Sequence, residues 1–153
     1  MTLGTLHCLK EELKELKFYA EKGVPILIEG KKDEEALQRL GINGNFIKIS
    51  GSPLKLIEIA YLVAETASEA IILTDFDEKG EELANKLRKN IESLGCRVNT
   101  KIRYKLKAMT KRYIKDIENL PKYLDRLKFE ICPYTSHNDY LLDFENGYNF
   151  QED

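Results

Sequence analysis

Ala70-Ile71-Ile72-Leu73-Thr74-Asp75-Phe76-Asp77-Glu78-Lys79-Gly80 is the stretch that decides the architecture. Its first half is apolar on consecutive positions, which suits a short strand covered on both faces, as in a parallel sheet. Its second half turns abruptly acidic and closes on a glycine. Downstream, Leu83, Leu87, Ile91 and Leu94 recur at helical spacing, and Gly95 marks the stop. A strand, an acidic turn and an amphipathic helix therefore follow one another within about twenty-five residues, the pace of a βαβ crossover.

The same unit recurs upstream. Pro25-Ile26-Leu27-Ile28-Glu29 is another apolar run closing on a carboxylate, followed by Gly30-Lys31-Lys32-Asp33 and a short helix to Leu40, with Gly41 as its stop. Phe46 to Ile49 reads as a second strand. Ser52 before Pro53 reads as a cap and first-turn proline, opening a helix whose stripe is Leu54, Ile57, Tyr61 and Ala64. Arg97 to Ile102 suits a fourth strand. Leu6, Leu9, Leu13, Leu16 and Ala20 give an amphipathic opening helix over 5–22, ended by Gly23 and Pro25. Helical spacing continues through Leu106 and Met109, and a further short helix can open at Pro121. The expected fold is α/β: a mostly parallel sheet of about four strands with helices on both faces. The chain reads as one domain over 1–153, with a core of about 23–115 and a C-terminal extension over 116–153.

The chain has 153 residues, 42% hydrophobic and 33% charged, an ordinary globular mixture long enough to bury a core. No run approaches the ~20 apolar residues of a membrane span, and the opening residues do not form a signal peptide, so the cytoplasm is the expected compartment and no membrane partner is expected. Cys8, Cys96 and Cys132 are far apart, and with only His7 and His137 beside them they show no zinc spacing. The net charge of −2 conceals segregation: residues 101–128 carry ten basic and three acidic side chains, and residues 129–153 none and six. Such blocks suit a polyanion-facing stripe followed by an acidic tail, or a solvated lysine-rich helix face.

Ligands of open parallel sheets bind beyond the carboxyl ends of the strands. Glu29 leaves the first strand and Asp75 the third, so two acidic turns should face one another across one sheet edge. Carboxylates brought together repel unless a cation neutralises them. Magnesium takes oxygen ligands, keeps waters, and commonly uses one or two carboxylates with substrate phosphate. Asp75-x-Asp77 can straddle a turn toward one ion, while Gly30 and Gly80 leave room for a phosphate to approach the backbone. Each acid also has an ordinary use: Asp77 and Asp33 suit helix caps, and Glu29 an exposed strand end.

Glu29-Gly30-Lys31-Lys32-Asp33 resembles the Glu-Gly motif of Toprim domains, and Asp75-Phe76-Asp77-Glu78-Lys79-Gly80 resembles their Asp-x-Asp-x-x-Gly motif. The resemblance covers roughly residues 23–115 and implies the Toprim variant of a Rossmann-like sheet. It implies magnesium (or manganese) as cofactor, with Glu29, Asp75 and Asp77 as catalytic and metal-binding residues and Asp33 in support. It implies nucleic acid, RNA or DNA, as partner, with Gly30, Lys31, Lys32, Gly80 and Arg103 toward its phosphates, Arg103 because it leaves the fourth strand. In length the chain is most similar to small stand-alone Toprim proteins, among which the maturase of small ribosomal RNA is a characterised relative; primases carry the domain too. The function so implied is that of a metal-dependent nuclease in RNA or DNA processing or repair. The alternative is a non-catalytic binding or assembly module, as in recombination mediators, with a second copy or an accessory protein as partner. An EF-hand is disfavoured because Lys86 stands where its bidentate glutamate is needed. A haloacid-dehalogenase phosphatase or a receiver domain would place its acids after the first strand in a different order. Tyr104 and Tyr113, interleaved with the basic residues, are expected to pack in the core.

Overall fold

Consecutive apolar residues on a strand must bury both faces, and the chain supplies helices for each. The computed structural model describes residues 3–131. Four short strands, β1 (Ile26–Ile28), β2 (Phe46–Lys48), β3 (Glu69–Ile72) and β4 (Arg97–Asn99), form one sheet in the order β2-β1-β3-β4. All neighbours are parallel, with Ile26 opposite Phe46 on one side and Ile71 on the other. Among the described residues six helices accompany them: α1 (Leu3–Glu21), α2 (Lys31–Arg39), α3 (Leu56–Thr66), α4 (Glu78–Ser93), α5 (Lys101–Thr110) and α6 (Leu120–Ile131).

The two-residue period of the strands sorts the core into two layers. Ile26, Ile28, Ile71 and Leu73 point into a cluster with the inner faces of α1, α2, α5 and α6. Leu27, Ala70 and Ile72 point the other way, onto Ile59, Ala60 and Val63 of α3 and Ala84, Leu87 and Ile91 of α4. The Leu6, Leu9, Leu13, Leu16 and Ala20 stripe of α1 is buried as its spacing predicts. The α6 helix, in the described part of the expected C-terminal extension, contributes Leu120, Tyr123, Leu124 and Leu127 to that same cluster. Among the described residues no helix is long and apolar enough to cross a membrane.

Three local expectations are corrected. The α3 helix starts at Leu56, because the Ser52 hydroxyl accepts the Leu54 N–H in a local turn and Glu58 accepts the Lys55 N–H at 2.7 Å. Its buried stripe is accordingly rotated: Ile59, Ala60 and Val63 face the sheet, while Leu54, Ile57 and Tyr61 are exposed, Tyr61 to 58%. The fourth strand stops at Asn99, whose side-chain oxygen accepts the Lys101 and Ile102 N–H groups and so opens α5. On α4 the inward positions are Ala84, Leu87 and Ile91, and Leu94 is exposed. Cys132, His137 and the acidic residues beyond 131 lie outside the described residues.

Candidate functional site

In the order β2-β1-β3-β4 the chain leaves β1 to one side for β2 and later to the other for β3. The carboxyl ends of β1 and β3 therefore flank the topological switch point, where parallel sheets open a crevice. Glu29 and Asp75 stand there. A Glu29 carboxylate oxygen (Oε2) accepts the backbone N–H of Asp75 at 3.0 Å, joining the two acidic turns directly.

Each turn is braced from behind. Asp33 is buried, and its Oδ2 accepts the Gly30 N–H at 3.0 Å, the reach-back bond of a capped helix start. Asp77 caps α4, its Oδ1 accepting the Gly80 N–H at 2.7 Å. The buried Thr74 hydroxyl donates to the Gly80 carbonyl at 2.7 Å, closing the same turn. Gly80 is required by close approach: a Cβ there would be driven into the Asp75 carbonyl oxygen. Gly30 differs, for it is extended and a Cβ would meet open space. A third segment, missed in the sequence, completes the wall. The Phe76 N–H donates to the Lys115 carbonyl at 2.7 Å, and the Asp75 Oδ1 accepts the Ile117 N–H at 3.2 Å.

Burial and neighbouring charge act together on this cluster. Asp75 is pushed up to about 7, first by burial, then by the charge of Asp33 and, more weakly, of Glu29 and Asp116, against the Ile117 bond that favours its charged form. Asp33 is raised too, by burial and by Glu29, Glu118 and Asp116, although the Gly30 bond opposes this. Asp116 and Glu118 were hidden in sequence by their place in what read as an extension; the only signal was that they are two of the three acids within the basic block of 101–128.

Arg103 requires correction. It lies on α5, not at a strand end, and is 4% exposed. Its Nε donates to the Thr74 carbonyl at 3.0 Å, Nη2 to the Asp75 carbonyl at 2.6 Å, and Nη1 to Glu81 at 3.0 Å. Its guanidinium also lies 5.9 Å from the Phe76 ring centroid. Arg103 is thus a clamp beneath the Asp75 turn, with its fork spent on the protein. Lys31 and Lys32, by contrast, are exposed in the first turn of α2, where the helix dipole favours anions. Tyr104 and Tyr113 are also corrected: Tyr104 is 71% exposed and Tyr113 46%, although Tyr113 stacks on the buried Tyr123 with centroids 5.2 Å apart.

Among the described residues no three acidic, histidine or cysteine side chains stand close enough together to hold a metal ion by themselves. The acids at the switch point present hard oxygens on facing turns, the donor type that magnesium takes. An ion that keeps several waters and shares its shell with a phosphate needs no more than one or two carboxylates from the protein.

Comparison with known proteins agrees with this arrangement. The family model described as the Toprim domain matches residues 24–123. A UPF0292 protein of Methanocaldococcus jannaschii is 42% identical over 121 residues, spanning 79% of this chain and 93% of that protein. A UPF0292 protein of Pyrococcus horikoshii is 44% identical over 108 residues, spanning 71% and 80%. Among solved structures, a protein from Aquifex aeolicus superposes with a TM-score of 0.60 at 33% identity, covering 72% of this chain and 95% of its own. With the motif turns at the switch point and the family model spanning the whole sheet, the chain belongs to the Toprim domain family and groups with the UPF0292 proteins.

Proposed function

We propose that this chain is a nuclease, hydrolysing nucleic-acid phosphodiester bonds at the β1–β3 crevice with a divalent cation, magnesium or manganese, held by Glu29, Asp75 and Asp77. The observation that carries the reading is the Glu29–Asp75 bond at 3.0 Å, which sets acids from two distant turns at one sheet edge. Membership of the Toprim family supports nucleic acid as the substrate class. The bound cation would neutralise the crowded carboxylates and stabilise charge developing on the phosphate.

The protein's own groups have distinct tasks. Glu29 spends one oxygen on the Asp75 N–H and offers the other to the proton of an attacking water, which it later returns to the leaving oxygen. The water oxygen bonds phosphorus as the bond to the leaving oxygen breaks. Lys31 and Lys32 draw the phosphate to the start of α2 without reading sequence. Arg103 positions the Asp75 turn from beneath. One observation favours a second reading, a non-catalytic binding or assembly module: Asp77 already commits an oxygen to capping α4.

The test is incubation with structured RNA, single-stranded DNA and nicked duplex, in magnesium, manganese or EDTA, beside Glu29→Gln. The glutamine amide oxygen can still accept the Asp75 N–H, so the turn is kept while the proton acceptor is lost. Metal-dependent cutting of at least one substrate, abolished in Glu29→Gln, is expected. Cutting that survives the substitution would refute the role of Glu29, and binding without cutting on every substrate would favour the assembly module.

A further inference from the structure

Beside the acidic crevice lies a second concavity of quite different chemistry. The facing sides of α4 and α5 form a cleft of about 270 Å³, lined by Ala84, Arg88, Tyr104, Lys107, Ala108 and Lys111 among others. Among the described residues its one carboxylate is Glu81, which accepts Lys107 Nζ and Arg103 Nη1, each at 3.0 Å, and those partners hold it below the usual glutamate range. The cleft therefore keeps a cationic surplus. Among the described residues no ion pair involves Lys111, which is exposed, and Arg88 reaches only the half-exposed Glu92 of its own helix.

Tyr104 gives the cleft its specificity. An aromatic ring 71% exposed on the lip of a basic groove is poorly explained by packing, since the neighbouring Ile102 and Leu106 fill the core from the inner face of α5. Cations beside an exposed ring are what an unpaired strand requires: the cations take the phosphates and the ring takes a base face. A duplex hides its base faces, so it could use only the cations. The cleft shares Arg103 with the wall of the crevice: the same side chain lines the one and donates to the Asp75 carbonyl in the other.

We propose that the α4–α5 cleft binds single-stranded polynucleotide, with a base stacked on Tyr104 and phosphates on Lys111, Lys107 and Arg88, and leads the strand to the β1–β3 crevice. This rests on the nucleic-acid reading above and adds to it a strand type and a path. Lys107 serves both Glu81 and the strand, whereas Lys111 is committed to the strand alone.

Fluorescence anisotropy in EDTA, with labelled oligo(U), oligo(dT) and a duplex of matched length, tests it without reference to cutting. The expected result is tighter binding of a single strand than of the duplex, with the two oligomers deciding between RNA and DNA. Tyr104→Ala should weaken single-strand binding by about tenfold while Tyr104→Phe retains it. Lys111→Ala should lower the slope of log affinity against log salt by about 0.7, the loss of one phosphate contact. Equal affinity for duplex, unchanged binding in Tyr104→Ala, or no binding to any strand would overturn the proposal. Binding that depends on Tyr104 in a protein that cuts nothing would keep the cleft and sink the nuclease. Metal-dependent cutting with binding indifferent to Tyr104 and Lys111 would do the reverse.

Discussion

Replacing Arg103 by methionine isolates what holds the Asp75 turn in place. Methionine keeps most of the aliphatic stem, so packing against Phe76 and the α5 core changes little, while every donor of the fork is lost. The buried carbonyl of Thr74 and the part-buried carbonyl of Asp75 would each lose a charge-assisted bond, at 3.0 and 2.6 Å, and neither acceptor can be removed in compensation because both are backbone. Each such bond contributes ~1.5–3 kcal/mol. The Glu81 contact adds under ~1 kcal/mol, since that carboxylate is about half exposed and keeps Lys107. Allowing for overlap, the loss is about 3–5 kcal/mol, in line with removing one partner of a buried ionic contact. At ~2–4 °C per kcal/mol for a chain of this size, the melting midpoint should fall by roughly 10 °C. Arg103→Lys should fall between, because one ammonium cannot serve three divergent acceptors. Circular dichroism melts in EDTA, with urea unfolding to confirm the free energy, make the measurement. A midpoint for Arg103→Met within a degree or two of the wild type would show that the fork does not hold the turn.

Two further outcomes follow from the same geometry. Asp75 stands near 7 in the folded chain against an ordinary 3.8, so the folded state holds a proton the unfolded chain gives up. This stabilisation is complete below about pH 4 and is withdrawn as pH climbs toward 7; in EDTA the midpoint should be higher at about pH 5 than at about pH 8. Asp33 shifts in the same direction, whereas Glu81, lowered from 4.5, acts only on the acid side of this window. Asp75→Asn should flatten the dependence, and a wild-type midpoint that rises across the window would refute it. Gly80→Ala should disrupt the Asp75 turn and lower the midpoint, while Gly30→Ala, with open space at its Cβ, should melt with the wild type. Equal midpoints for Gly80→Ala and the wild type would show that the close approach is not a constraint.

The layering and the site's location were legible because they rest on local patterns. Runs such as Pro25–Ile28 and Ala70–Leu73 are apolar on successive positions, and only a strand buried on both faces satisfies that. Pace between runs demands parallel crossovers, and crossovers place Glu29 and Asp75 at one edge. Helix phase was less legible. Leu54, Ile57 and Tyr61 form as regular a stripe as Ile59 and Val63, and the Ser52 turn and Glu58 cap, not the spacing, choose between them.

What the amino-acid order determined alone was the strand–helix alternation, the parallel sheet and the two acidic turns at its carboxyl edge. Tertiary structure alone decided that Arg103 turns inward to clamp the Asp75 turn, that Tyr104 one residue on faces solvent, and that the Ile117 segment braces Asp75. The physical reason is that periodicity reports which side of an element is apolar, whereas the partner of a polar group depends on which elements become neighbours. Arg103 and Thr74 are 29 residues apart and meet only because α5 packs beneath the end of β3.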